Sequence, residues 1–201
     1  MALLYLYVMK LSTLVILLFF TATGFAQEKA LSTDDRGKLI YYEVVNLKDV
    51  PADSLKSRVK AFLKKTPKTL KLKSADTDSL MYITGKLIIN KTALVLSRPS
   101  GEVLYNFYVE TKDSKYRCWM TDFNFISYQR DRYGNFVPST TVGIPLETKP
   151  GKLNSAEWAG YVKATTKELN VLAERFKEAM MKKVITPAAV VPSAVGPHQK
   201  W

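Results

Sequence analysis

"EVLYNFYVETKDSKYRCWMTDFNFIS", Glu102 to Ser127, decides how this chain is read. It holds two runs rich in β-branched and aromatic residues, "EVLYNFYVET" and "KYRCWMTDFNFIS", joined by Lys112 to Ser114. A link that short obliges the two strands to run antiparallel. In the first run Val103, Tyr105, Phe107 and Val109 share one face, and Leu104, Asn106, Tyr108 and Glu110 share the other. The second run does not sort so simply. Arg117, Trp119, Thr121, Phe123 and Phe125 oppose Tyr116, Cys118, Met120, Asp122 and Asn124, and neither set is cleanly apolar. A strand apolar on both sides near its middle belongs inside a sheet rather than at its edge.

Working outward, the period of two recurs upstream. "TLKLKS" from Thr69 alternates, "LMYITGKLIIN" follows a "DTDS" turn (Asp76 to Ser79), and "ALVLS" continues it past a bend near Gly85 or Asn90. "RPSG" is expected to break the chain before Glu102. "GKLIYYEVVNL" (Gly37 to Leu47) reads as a first strand. Between these lies "VPADSLKSRVKAFLKK", where Leu55, Val59, Phe62 and Leu63 fall on one face, Asp53 sits at the positive end and lysines gather at the negative end. The spacing predicts an amphipathic helix from Pro51, at the first helical position, to Lys65.

Downstream, Ser127 to Lys152 carries aromatics, prolines and glycines without a sustained period, so a long connection is expected there, either a functional flap or a loose loop. A second helix should start at Asn154 as cap, with Glu157 reaching back and Leu153 stapled to Trp158. Trp158, Tyr161, Val162, Thr165, Leu169, Leu172, Phe176 and Met180 then step by three and four along one side, as a helix covering a sheet requires.

The first residues address the compartment. "LSTLVILLFF" (Leu11 to Phe20) is too short to span a bilayer comfortably, and small Gly24 and Ala26 precede Gln27. Residues 1–26 therefore read as a signal peptide cleaved after Ala26, giving an exported protein of the periplasm or exterior. "MALLYLYV" lacks the basic opening such peptides carry, whereas Met9-Lys10 supplies it, so translation is expected to begin at Met9. Residues 27–36 should be a flexible mature N-terminus, 37–183 one α+β domain, and 184–201, with three prolines, a flexible tail.

The formal charge of the 201-residue chain is +12, and removal of residues 1–26 takes one lysine and no acid, leaving +11. Export makes nucleic acid an improbable polyanion and leaves lipopolysaccharide, anionic lipid head groups and acidic glycans, so adhesion to an anionic membrane or a polysaccharide through scattered lysines is a further expectation. The lone cysteine, Cys118, lacks an accessible base, because the lone histidine, His198, sits in the expected tail and Arg117 points to the opposite face. It reads as a small buried hydrophobe. One histidine and one cysteine leave no material in the domain for a Ser-His-Asp triad, a multi-histidine zinc site or an iron–sulfur centre. No cofactor or metal is expected. Carboxylate-based hydrolysis of envelope material would have to draw on residues such as Glu110, Asp122 and Glu147.

The order of elements, with "GKLIYYEVV", "LKSRVKAFLKK" and above all the "VETKDSKYRCWMTDF" hairpin, resembles a family of exported Bacteroidetes domains of unknown function, the DUF4468 family, with a TBP-like fold. The likeness covers Lys38 to Lys182. It implies a curved antiparallel sheet in the order β-α-β-β-β-β-α with both helices on one face, and it brings no catalytic residues. The family hairpin often has glycine where Ser114 stands. Fold does not transmit function, so the expectation is a non-enzymatic module that binds an envelope protein, glycan or lipid. The exposed sheet face and the Ser127 to Lys152 connection are its candidate surfaces, with Tyr128, Tyr133 and Phe136 as candidate ligand-binding residues.

Overall fold

A computed structural model describes residues 29–74, 79–93, 96–149, 151 and 154–182. The leader, the Asp76 and Asp78 part of the expected turn, Leu153 with its staple, and the tail with His198 lie outside the described residues. Along the chain run β1 (Ser32–Thr33), β2 (Leu39–Asn46), α1 (Ala52–Lys65), β3 (Leu70–Ser74), β4 (Leu80–Ala93), β5 (Leu96–Lys112), β6 (Lys115–Arg130), β7 (Phe136–Pro138), β8 (Ile144–Pro145) and α2 (Ser155–Met181). The sheet order is β1-β2-β6-β5-β4-β3, all neighbours antiparallel, with β7 and β8 also on β6. Setting aside the three short strands, this is the β-α-β-β-β-β-α order of an α+β fold.

Both helices pack on one face. Phe176 of α2 makes edge contacts with Phe62 of α1, Phe107 of β5 and Tyr116 of β6, with centroids 5.2, 5.3 and 5.6 Å apart. Leu55, Val59, Leu169 and Met180 are wholly buried beside it. The Arg58 guanidinium, itself buried, donates to the Met180 carbonyl oxygen, placing a cation at the negative end of α2.

The unsorted faces of β6 have a backbone cause. Tyr116, Cys118 and Met120 point into the core, and so do Phe123 and Phe125, which carry the opposite parity. Between them the register with β5 shifts: Asn106 pairs with Thr121 but Leu104 with Asn124, so Asp122 and Phe123 together oppose Tyr105. Asp122 takes φ 58°, a left-handed conformation that aspartate tolerates better than most residues. This β-bulge moves one extra residue through the pleat and restores an apolar inner face.

A second bulge corrects the expected break at "RPSG". β5 runs straight through it, with Gly101 opposite Ile89 and Pro99 opposite Asn90, so that Ser100 is the extra residue. Proline, lacking an N–H, is tolerated at such a bulge. The expected flexible 27–36 segment is likewise corrected in part: Ser32 and Thr33 pair with Ile40 and Leu39, and Asp34 closes a turn by accepting from the Arg36 and Lys38 N–H groups.

The expected long connection folds back onto the sheet. β6 extends to Arg130, and the edge of β6 beyond β2 is taken over by β8 and then β7. Leu146 is buried; its N–H donates to the Phe123 carbonyl at 2.9 Å and its carbonyl accepts the Trp158 indole N–H at 3.0 Å.

Helix starts also differ from expectation. Pro51 occupies the cap position rather than the first turn, and the free Ala52 N–H is met by Asp113 Oδ1 at 2.9 Å, from the tip of the β5–β6 hairpin. Asn154 makes no side-chain cap, and Glu157 turns instead to Lys91 and the Tyr161 hydroxyl, both at 2.8 Å. In the hairpin tip, Ser114 has φ 60°. Replacing Ser114 with glycine should raise stability by about 0.5–1 kcal/mol, since relief of left-handed strain outweighs the added chain entropy of the unfolded state. A urea melt with an unchanged slope and a higher midpoint would show it; a lower midpoint would contradict it.

Candidate functional site: the helix-free sheet face

Side chains at alternate positions of β2, β4, β5 and β6 emerge on the face opposite both helices. The register sets four of them in one line across the sheet: Tyr82 pairs with Tyr108, Tyr108 with Trp119, and Trp119 with Tyr42. Tyr82 and Tyr108 have centroids 5.1 Å apart with planes at 18°, and Tyr108 and Trp119 are 5.2 Å apart at 13°. Rings that close and that parallel cannot lie flat side by side without overlapping their hydrogens. They stand on edge and stack face to face, as offset pairs prefer. The Arg117 guanidinium lies 5.4 Å from the Trp119 ring. Both faces of Tyr108 and one face each of Tyr82 and Trp119 are thus covered within the row.

A polar chain continues from the row. Tyr82 OH donates to Asn106 Oδ1 at 3.0 Å, Asn106 Nδ2 donates to Asp122 Oδ2 at 3.0 Å, and Lys38 Nζ donates to Asp122 Oδ1. Asn124 Nδ2 also donates to the Asp122 carbonyl at 2.8 Å. The hydrogen bond from the Lys38 ammonium, with Asn106 and Arg36 adding to it, holds the Asp122 carboxyl below its ordinary range. A depressed folded value stabilises the fold above the ordinary carboxylate pKa, and that contribution is lost as pH falls through the folded value. The difference in urea midpoint between wild type and Asp122→Asn should therefore be constant near neutrality and shrink below about pH 4. A difference independent of pH would show that the Lys38 pairing contributes nothing.

Beside this chain a groove of about 520 Å³ is bordered by Lys68, Lys71, Lys73 and Lys86, with Thr84, Asn106, Asp122 and Asn124 also in its lining. Glu102 lines it as well, pairing with Lys86 at 3.2 Å and accepting from Tyr128 OH at 2.8 Å. On the other side of the aromatic row a smaller depression of about 350 Å³ is lined by Tyr42, Val44, Lys112, Lys115 and Arg117, among others.

The three aromatics singled out in the sequence do not converge. Tyr128 joins the groove wall through Glu102, and its burial pushes the phenol up to about 12. Tyr133 is 77 % exposed at the β6–β7 turn with the Arg132 guanidinium 5.5 Å from its ring, and Phe136 lies on β7 with Arg130 at 5.0 Å. The candidate carboxylates are each engaged: Glu110 with Arg117, Asp122 with Lys38, and Glu147 as acceptor of the Leu39 N–H at 2.7 Å. Arg117, the partner of Glu110, lies five positions from Asp122 along β6. Cys118 is buried on the helix side, and burial pushes its thiol up to about 12. Among the described residues no group of three or more His, Cys, Asp or Glu is placed to hold a metal, and no helix is long and apolar enough to cross a membrane.

Sequence reasoning missed Trp119, Tyr108, Tyr82 and Tyr42 as a unit. Each falls on the polar side of its strand, and an aromatic at that phase in four strands was the available signal. Asp122 left a signal too, in the failed alternation of β6.

Two solved structures share the fold, each at 12% identity. A TBP-like protein from Parabacteroides distasonis superposes with a TM-score of 0.57 over 78% of this chain and 100% of its own. A DUF4468 family protein from Bacteroides ovatus superposes with a TM-score of 0.53 over 81% of this chain and 95% of its own. No curated protein matches. Residues 41–126, from β2 to near the end of β6 and including its bulge, match the family model described as a domain of unknown function (DUF4468) with TBP-like fold.

Proposed function

We propose that this protein is an exported, non-enzymatic binding module of the cell envelope that takes its ligand on the helix-free sheet face. One observation carries the reading: a line of four aromatic side chains, flanked by ion pairs and a polar groove, lies on the side of the sheet that neither helix covers. Tyr42 and Val44 are 43 % and 49 % exposed there, apolar area of the kind that recognition surfaces retain. The state of the carboxylates supports a non-enzymatic role, since two-carboxylate hydrolysis calls for one acid with a raised pKa, whereas Asp122 is depressed. Export rests on the Leu11 to Ala26 leader.

The test combines processing and retention. Mass spectrometry of the protein from its native envelope should find an N-terminus at Gln27. The processed chain, immobilised, should retain an envelope component that a Tyr42→Ala, Trp119→Ala variant of native circular dichroism releases. Equal retention by both proteins would end the sheet-face reading.

A further inference from the structure

We propose that the groove beside β3 is a subsite for an anionic glycan, whose carboxylate or phosphate groups are taken by Lys68, Lys71 and Lys73; this rests on the sheet-face reading and names its ligand class. Charge accounting leads to it. The three acids described on this face are each paired: Glu102 with Lys86, Asp122 with Lys38, and Glu110 with Arg117. Lys68, Lys71 and Lys73 line the same groove and have no carboxylate partner among the described residues. The groove is therefore left with surplus positive charge beside a neutralised floor, and charge-assisted hydrogen bonds to an oxyanion are the interaction that such a rim favours.

The lining also chooses between anions. Thr84, Asn106 and Asn124 supply the hydroxyl and amide groups that match a sugar's hydroxyls. The volume, about 520 Å³, falls within the range of small-ligand sites. Leu104, the exposed large apolar residue in the lining, offers little to insert into lipid. The groove lining holds no exposed aromatic ring, so sugar recognition here runs through charge and hydrogen bonds rather than ring stacking.

Calorimetric titration of the processed chain from Gln27 tests this with four probes: a short oligogalacturonate, glucose 6-phosphate, the neutral galactose oligomer, and phosphatidylglycerol vesicles. At least one acidic sugar should bind about tenfold or more tightly than the neutral oligomer, and the two acidic arms tell carboxylate from phosphate recognition. Affinity should fall about tenfold in Lys71→Gln, Lys73→Gln and weaken with salt. Binding of neither acidic sugar, equal binding of the neutral oligomer, indifference to the lysine changes, or vesicle binding without sugar binding would each overturn the assignment. Retention of an envelope component that depends on Tyr42 and Trp119 but not on the lysines would overturn this subsite while leaving the sheet-face reading intact.

Discussion

Phe176→Ala is expected to lower the unfolding free energy by about 3–5 kcal/mol. Phe176 is buried where three aromatic edges meet, from α1, β5 and β6, so its ring joins both helices to the centre of the sheet. Truncation removes the transfer free energy of the ring and leaves a cavity walled by Phe62, Phe107 and Tyr116, which belong to three different elements and cannot all collapse into it. Against a typical total of about 5–15 kcal/mol, the loss approaches unfolding. Urea denaturation followed by far-ultraviolet circular dichroism reads it directly. A loss under about 1 kcal/mol would mean that α2 is not held to the sheet through this contact. Phe176→Leu, which keeps most of the volume, should recover more than half of the loss.

Gly101→Ala is expected to cost about 3 kcal/mol for the opposite reason, overpacking. A Cβ at Gly101 would stand 2.4 Å from the Ile126 carbonyl oxygen and 2.7 Å from the Phe125 ring. The first of these is backbone of the paired strand, so relief requires β5 and β6 to separate where Gly101 faces Ser127. Gly160→Ala is the control: it lies within α2, a Cβ there meets nothing within 4 Å, and the change should stabilise by about 0.5–1 kcal/mol. Equal effects at the two positions would show that the β5–β6 pairing at Gly101 is looser than described.

These two sites show why parts of the fold were legible in the sequence and others were not. The inner face of β5 was readable because Val103, Tyr105, Phe107 and Val109 alternate without interruption. In β6 the alternation fails at Asp122, and residue type alone does not announce a positive φ, because most aspartates do not adopt one. "RPSG" suggested an ending because proline and glycine usually end strands. Here the glycine serves close approach to Ile126 and the proline sits at a bulge, and both facts belong to the neighbouring strands. The cap of α1 was sought in its own sequence, whereas Asp113, 61 residues away, supplies it. The candidate site followed the same rule. Tyr128, Tyr133 and Phe136 were chosen for proximity along the chain, while Tyr42, Tyr82, Tyr108 and Trp119 are neighbours only through register.

By itself the sequence determined the kinds of elements, their antiparallel succession through short links, the α+β class and the burial of Cys118. Those outcomes follow from periodicity and link length, which act over a few residues. Only the tertiary structure decided the two bulges, the partners of β6 along its whole edge and the row of aromatics on the open face. Register is chosen by pairing energy summed across strands distant in the chain, and a one-residue shift at Asp122 is enough to change which side chains meet the core and which face the open side of the sheet.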